Sequence, residues 1–194
     1  MKIQKPNTSF QIVAHRGLSQ KYPENTLEGF KAALMQHIDM LEIDVHFTKD
    51  KQLVVIHDDS IDRTSNQKGK VKDFTLEELK QFDFGIKHGE SFKNTCISTF
   101  SEVLSLFKKY SKTLLIEIKK PEQYPGIEKA LLEELDKFQI PSHRVVIQSF
   151  DVESVKKMSE YTKKYALGVL ISKKQYWYKP VSYTHLTLPT SDLV

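Results

Sequence analysis

The sequence predicts an α/β protein built on a parallel sheet. Three observations predict it. Strand-like and helix-like segments alternate along most of the chain, and parallel neighbours need crossover helices between them. Polar, titratable residues gather at the ends of several of those strands, the edge where parallel α/β folds carry their sites. The chain has 194 residues and no internal repeat, enough for one domain with a sizeable core.

The elements follow in order. "FQIVAH" (10–15) is a short strand ending in polar residues. "NTLEGFKAALMQH" (25–37) is a helix, because Leu27, Phe30, Ala33 and Leu34 recur at helical spacing and Asn25 or Thr26 can cap its start. "DMLEIDVHFT" (39–48) and "QLVVIHD" (52–58) are strands joined by the turn-like "KDK". Residues 59–98 are polar and interrupted, with a short helix at "TLEELKQF" (75–82). A capped amphipathic helix at 98–110, a strand at 112–121, a helix at 126–138, a strand at 143–151, a helix at 151–165 capped by Asp151, and a sixth strand at 166–172 complete the series.

Composition narrows the class. Charged residues make up 28% of the chain and the net charge is +4, but the signs are interspersed, which reads as a solvated surface and argues against a nucleic-acid partner. Cys96 is the only cysteine, so no intramolecular disulfide can form. The first residues lack the apolar core of a signal peptide, and no apolar run is long enough to span a bilayer. The cytoplasm is the default compartment, and no stable membrane insertion is expected. Oligomeric state is not legible.

The chemistry concentrates in "LEIDVHFTKDKQLVVIHDD" (41–59). Strand side chains alternate faces, so Glu42, Asp44 and His46 share one face while Leu41, Ile43 and Val45 share the other. Glu117 and Lys119 share a face in the same way. His15 and His57 each close a strand-like run, followed by Arg16 and Asp58. Taken singly, each of these residues has an ordinary structural reading. Glu42 and Asp44 could line a solvated strand face, and Glu117 could be a core acid paired with Lys119. His46 could fill a sheet interior, Arg63 could solubilise a loop, and Trp177 and Tyr178 could be partial packing. The recurrence of the pattern at four strands weighs toward a site. Three carboxylates together repel one another and desolvate badly, which a hard divalent cation with oxygen ligands resolves. Two histidines suit acid and base roles near neutral pH. Arg16 and Lys119 suit an anion, most naturally a phosphate.

At these residues the chain resembles the glycerophosphodiester phosphodiesterase family. The matching segments are "AHRG" (14–17), "YPENTLEGFKAA" (22–33), "LEIDVHFTKD" (41–50), "VVIHDDSIDRT" (55–64), "TLEELK" (75–80), "LLIEIK" (114–119) and "VVIQSFD" (145–151), in the family's order. The resemblance implies a (β/α)8 barrel over residues 1–180, with about six of its eight strands in this chain and a loop insertion at 59–98, after the third strand. It implies metal-dependent hydrolysis of glycerophosphodiesters, such as glycerophosphocholine or glycerophosphoethanolamine, to an alcohol and sn-glycerol 3-phosphate. His15 and His57 match the acid–base pair. Glu42, Asp44 and Glu117 match the ligands of one divalent cation, Ca²⁺ or Mg²⁺. Arg16 and Lys119 match groups near the phosphate, Glu24 and Asn25 lie in a loop lining the same pocket, and Gln148 ends the next strand.

Two segments depart from the family. "QHIDM" (36–40) stands where the family has Gly-Ala or Gly-Val, and "VSYTHLTLPTSDLV" (181–194) matches no part of it, which reads as a non-native tail. Two other readings compete. The same barrel could act on lysophospholipids or phosphoinositides, or the chain could be an inactive fragment that only binds metal or phosphate.

Overall fold

The structure, a computed structural model, describes residues 10–172. Trp177, Tyr178 and the tail at 181–194 lie outside the described residues.

All six predicted strands form. They are β1 (Val13–His15), β2 (Met40–Phe47), β3 (Leu53–Val55), β5 (Thr113–Ile118), β6 (Val145–Ser149) and β7 (Ala166–Val169), and a short β4 (Ser98–Thr99) joins them. The five predicted helices are α1 (Leu27–Leu34), α2 (Leu76–Lys80), α3 (Phe100–Phe107), α4 (Ile127–Lys137) and α5 (Val152–Tyr161). Their starts are written in the sequence. Thr26 caps α1 through Gly29 N, Asp151 caps α5 through Ser154 N, and Thr75 and Thr99 each form a reciprocal capping box with the glutamate three residues on.

β1, β2, β5, β6 and β7 run parallel in that order and make the barrel wall. The third predicted strand departs from the parallel expectation. β3 pairs antiparallel with β2, with Val45 opposite Val55 and Phe47 opposite Leu53, and β4 pairs antiparallel with β3. The cause is connection length. Residues 48–52 make a tight hairpin, far shorter than a crossover of a dozen or more residues. β2 therefore runs past the wall and folds back, which carries His57 down to the level of Asp44. Ile56 N–H donates to Asp44 O at 3.0 Å.

Alternation sorts the wall's side chains. Leu41, Ile43, Val45, Leu114, Ile116, Ile118, Val145 and Ile147 point outward into one core with Phe30, Phe100, Phe107, Leu131 and Leu135 of the helices. The opposite set, with Glu42, Asp44, Glu117 and Gln148, faces the barrel interior. Segment 59–98 packs Ile61, Val71, Leu79, Phe84 and Ile97 into a small second core against Val54 and Ile56, in and just after β3. Its polar sequence hides this because the apolar residues are spaced irregularly across turns. At "QHIDM", Ile38 fills the core and Asp39 Oδ2 accepts from Ile12 N–H at 2.7 Å, so this segment packs without the family's glycine.

Candidate active site

Register places the interior acids. His15 pairs with Glu42 across β1 and β2; Asp44, Glu117 and Gln148 stand side by side across β2, β5 and β6. Glu42, Asp44, Glu117 and Gln148 are all buried. Each of the three acids brings one carboxylate oxygen within 4.8 Å of the others'.

The loop after β1 is built to reach them. Gly17 has φ +86°, and a Cβ there would lie 2.9 Å from the Gly29 carbonyl carbon, so only glycine lets the loop press against α1. Arg16 and Asn25 also hold left-handed backbone, with φ 58° and 55°. Such strain in non-glycine residues gathers at sites whose surroundings hold it in place. Here Arg16 N–H donates to Glu42 Oε2 at 2.9 Å, Asn25 N–H donates to Arg16 O at 3.1 Å, and Asn25 Nδ2 donates to Asp44 Oδ2 at 3.0 Å.

Two cations flank the acids. Arg16 Nε lies 3.5 Å from Asp44 Oδ2 and its Nη1 lies 3.3 Å from Glu24 Oε1. Lys119 Nζ lies 2.7 Å from Glu117 Oε1 and 3.3 Å from Asp44 Oδ1. These contacts leave the acids under-compensated. Burial, reinforced by the charge of Asp44, pushes the Glu42 carboxyl well above the usual range. Burial also raises Glu117, with Lys119 opposing and Asp44 adding to it. Asp44 Oδ1 is buried without a hydrogen bond. Raised carboxyls around a buried oxygen that makes no hydrogen bond, its Lys119 contact being an ion pair alone, fit a cation with oxygen ligands.

The two histidines sit differently. His15 is exposed at the mouth, its Nε2 3.9 Å from Glu42 Oε2. Partial burial and the charge of Arg16 lower its pKa, and positive charge on His57 or Lys119 weighs the same way. His57 is half-buried, and its Nδ1 lies 2.6 Å from Asp58 Oδ1. His46 is fully buried beneath it. His57 O lies 3.1 Å from His46 Nε2, and a carbonyl only accepts, so Nε2 carries the proton; Nδ1 then accepts from Tyr124 O–H at 2.9 Å. Burial holds His46 neutral, at a pKa of about 4.

The sequence pattern gives no role to three residues that the structure brings here: Asp58 is only the neighbour of His57, Tyr124 has no assigned part, and Arg63 stays open between a loop solubiliser and a functional residue. Asp58 had a signal, adjacency to His57. Tyr124 lies in the loop after β5, whose position behind an acidic strand was the available clue. Arg63 is brought in by the turns of 59–98, which no periodicity reports. Among the described residues, no helix is long and apolar enough to cross a membrane.

The glycerophosphoryl diester phosphodiesterase family model matches residues 15–192. A glycerophosphodiester phosphodiesterase from Caldanaerobacter subterraneus is 46% identical over 156 residues, 78% of this chain and 64% of that protein. One from Bacillus altitudinis is 44% identical over 142 residues, 72% of this chain and 58% of that protein. The chain thus spans about three fifths of these curated relatives' lengths. Among solved structures, an Oleispira antarctica phosphodiesterase in complex with the product sn-glycerol-3-phosphate is similar at a TM-score of 0.78 and 30% identity, covering 84% of this chain and 66% of that one. A glycerophosphodiester phosphodiesterase from Agrobacterium tumefaciens is similar at a TM-score of 0.75 and 26% identity, covering 82% and 66%.

Proposed function

Because the chain belongs to the glycerophosphoryl diester phosphodiesterase family, we propose that it hydrolyses glycerophosphodiesters to an alcohol and sn-glycerol 3-phosphate. The observation that carries this reading is the convergence of Glu42, Asp44 and Glu117 at the barrel's interior edge, between His15 and His57 and beside Arg16 and Lys119.

Glu42, Asp44 and Glu117 would hold one divalent cation, Ca²⁺ or Mg²⁺, through oxygen. Such an ion polarises phosphoryl oxygens and lowers the barrier to attack at phosphorus. The protein's own groups supply the rest. Arg16 and Lys119 offer fixed positive charge to a phosphodiester. His15 and His57 divide the two proton transfers. One takes a proton from the attacking water as its oxygen bonds to phosphorus; the other gives a proton to the departing alcohol oxygen as the P–O bond breaks. Asn25 holds Asp44 in place, Glu24 holds Arg16, and Gln148 completes the layer beside Glu117. The charged residues at the mouth, Glu24, Asp58 and Arg63, favour a polar diester over a lysophospholipid.

The test is release of sn-glycerol 3-phosphate from glycerophosphocholine by the purified chain with Mg²⁺ or Ca²⁺. Turnover is expected, and His15→Ala or His57→Ala should each lower kcat by about 10²–10⁴-fold. A well-folded, metal-loaded chain that releases no sn-glycerol 3-phosphate from any glycerophosphodiester would overturn the reading.

A further inference from the structure

A chain of charged hydrogen bonds runs from His57 across the mouth of the barrel. His57 Nδ1 lies 2.6 Å from Asp58 Oδ1. Asp58 Oδ2 accepts from Arg63 Nε at 2.6 Å. Arg63 then places Nη1 2.6 Å from Glu24 Oε2 and Nη2 2.8 Å from Glu24 Oε1, a fork-on-carboxylate contact. Glu24 Oε1 also accepts from Arg16 Nη1 at 3.3 Å. One guanidinium thus spends both its edges on two carboxylates from different parts of the chain. Asp58 follows β3, and Glu24 belongs to the loop between β1 and α1.

We propose that Arg63 is a positioning residue for His57: it clamps Asp58 against Nδ1, so that Nδ1 carries the ring proton in the neutral imidazole and Nε2 is left for the substrate.

The geometry carries this in three ways. Asp58 uses its two oxygens in opposite directions, one on the ring and one on Arg63, so the carboxylate cannot rotate without breaking a short charged bond. An ionised carboxylate only accepts, so the ring nitrogen facing it must be a donor. Burial alone would raise the Asp58 carboxyl, but the bonds from Arg63 and His57 outweigh it and hold it at about 2, so Asp58 is ionised near neutral pH. His57 is held from behind as well, since His46 donates to its carbonyl. Backbone and ring are thereby fixed by separate contacts. Arg63 is one of the points where 59–98 meets the wall's own loops, and Phe92 of the same excursion stacks edge-on against Tyr22, ring centroids 5.6 Å apart, close to Glu24 in sequence. The excursion is a frame that delivers one arginine to one aspartate.

The inference rests on the proposed hydrolysis, but its test separates the two. Long-range ¹H–¹⁵N NMR of the imidazole side chains, in the full chain, reports which nitrogen of His57 carries the proton whether or not the chain turns over substrate. Wild type should show the Nδ1–H form. Arg63→Met should shift His57 toward a mixture of tautomers and lower kcat by about 10²-fold with KM within about twofold. Arg63→Lys keeps the charge but not the fork, and should lie between wild type and Arg63→Met in both readouts. Asp58→Asn should move the tautomer further, because its amide can donate to the ring, and the double variant Asp58→Asn/Arg63→Met should lose no more activity than Asp58→Asn alone. Unchanged His57 signals and unchanged kcat in a folded Arg63→Met variant would overturn the proposal. So would equal loss in the Lys and Met variants with the tautomer intact, which marks a purely structural tie. A tautomer shift in a chain that hydrolyses no diester would support the clamp and sink the hydrolytic reading instead.

Discussion

At the scale of single residues, the site depends on groups that never touch phosphate. Tyr124 is the clearest case. Its hydroxyl is the donor for His46 Nδ1, while its ring meets His46 edge-on with centroids 5.3 Å apart. Tyr124→Phe keeps the ring and removes the donor. It leaves a buried imidazole nitrogen unpaired, and the penalty for that is about 1–3 kcal/mol. Urea denaturation of Tyr124→Phe should therefore show a lower midpoint with an unchanged slope. A variant as stable as wild type would mean that water replaces the hydroxyl and that His46 is not held from this side. The same residue shows what a sequence discloses. Glu42, Asp44 and Glu117 could be read because period-two alternation puts them on one face of predictable strands. Tyr124 could not, because its contact with His46 spans 78 positions and depends on a 3-10 turn after β5. Asp58 stood next to His57 in plain view, but adjacency says nothing of where a carboxylate points until Arg63 is placed.

At the scale of elements, the unexpected object is the excursion 59–98. Read as polar and interrupted, it packs a second core against the end of β3, and its loops are tied by side chains in place of regular ladders. Asp83 makes three of these ties. Its carboxylate accepts from Gly85 N at 2.8 Å, Ile86 N at 3.0 Å and Asn94 N at 2.8 Å. Partial burial works to raise its pKa, but these three backbone donors lower it below the ordinary 3.8. A depressed carboxyl stabilises the fold above its unfolded pKa, and that contribution is lost as pH falls through the folded one. Amide hydrogen exchange at Gly85, Ile86 and Asn94 should then be slow near neutral pH and lose protection, relative to the barrel strands, once pH falls below about 4. Asp83→Ala should abolish this difference, exposing the segment already at pH 7. Leu79→Ala, which opens the excursion's core, should cost about 2–5 kcal/mol. It should loosen 59–98 before the wall; simultaneous loss of protection everywhere would show that the excursion and the wall unfold as one unit. The elements themselves were legible where each carried its own cap or period, as in α3 with Thr99 and Glu102. The direction of β3 was missed because apolar alternation does not reveal direction. The brevity of residues 48–52, which forces the antiparallel turn, was available and outweighed by the run of parallel units around it.

At the scale of the whole molecule, the wall concentrates a debt. Five parallel strands bring three buried carboxylates to one layer, and Arg16 and Lys119 offset only part of their charge. Neighbouring strands β2 and β5 therefore repel at the level of Asp44 and Glu117 even as their backbones pair. A divalent cation at Glu42, Asp44 and Glu117 would turn this repulsion into a cross-link between strands, so binding should be visible as stability of the entire fold. A ligand at about 100 times its Kd adds about 2.7 kcal/mol. At about 2–4 °C per kcal/mol for a chain of this size, that is a rise in Tm of roughly 5–11 °C. The measurement is a thermal melt after EDTA treatment, then with Ca²⁺ or Mg²⁺ in excess. Glu117→Gln keeps the shape of the layer, removes one charge and weakens one ligand. Without metal it should melt at or above the wild-type temperature, because a buried acid has gone; with metal it should gain far less. That crossing of order is the signature of a site that costs stability until it is filled. If wild type and Glu117→Gln rise equally with metal, the ion binds elsewhere and the three acids are an ion-pair network with Arg16 and Lys119. If wild type does not rise at all, the barrel tolerates its buried charge without a cation, and the proton and phosphate chemistry would rest on those two residues and the histidines alone.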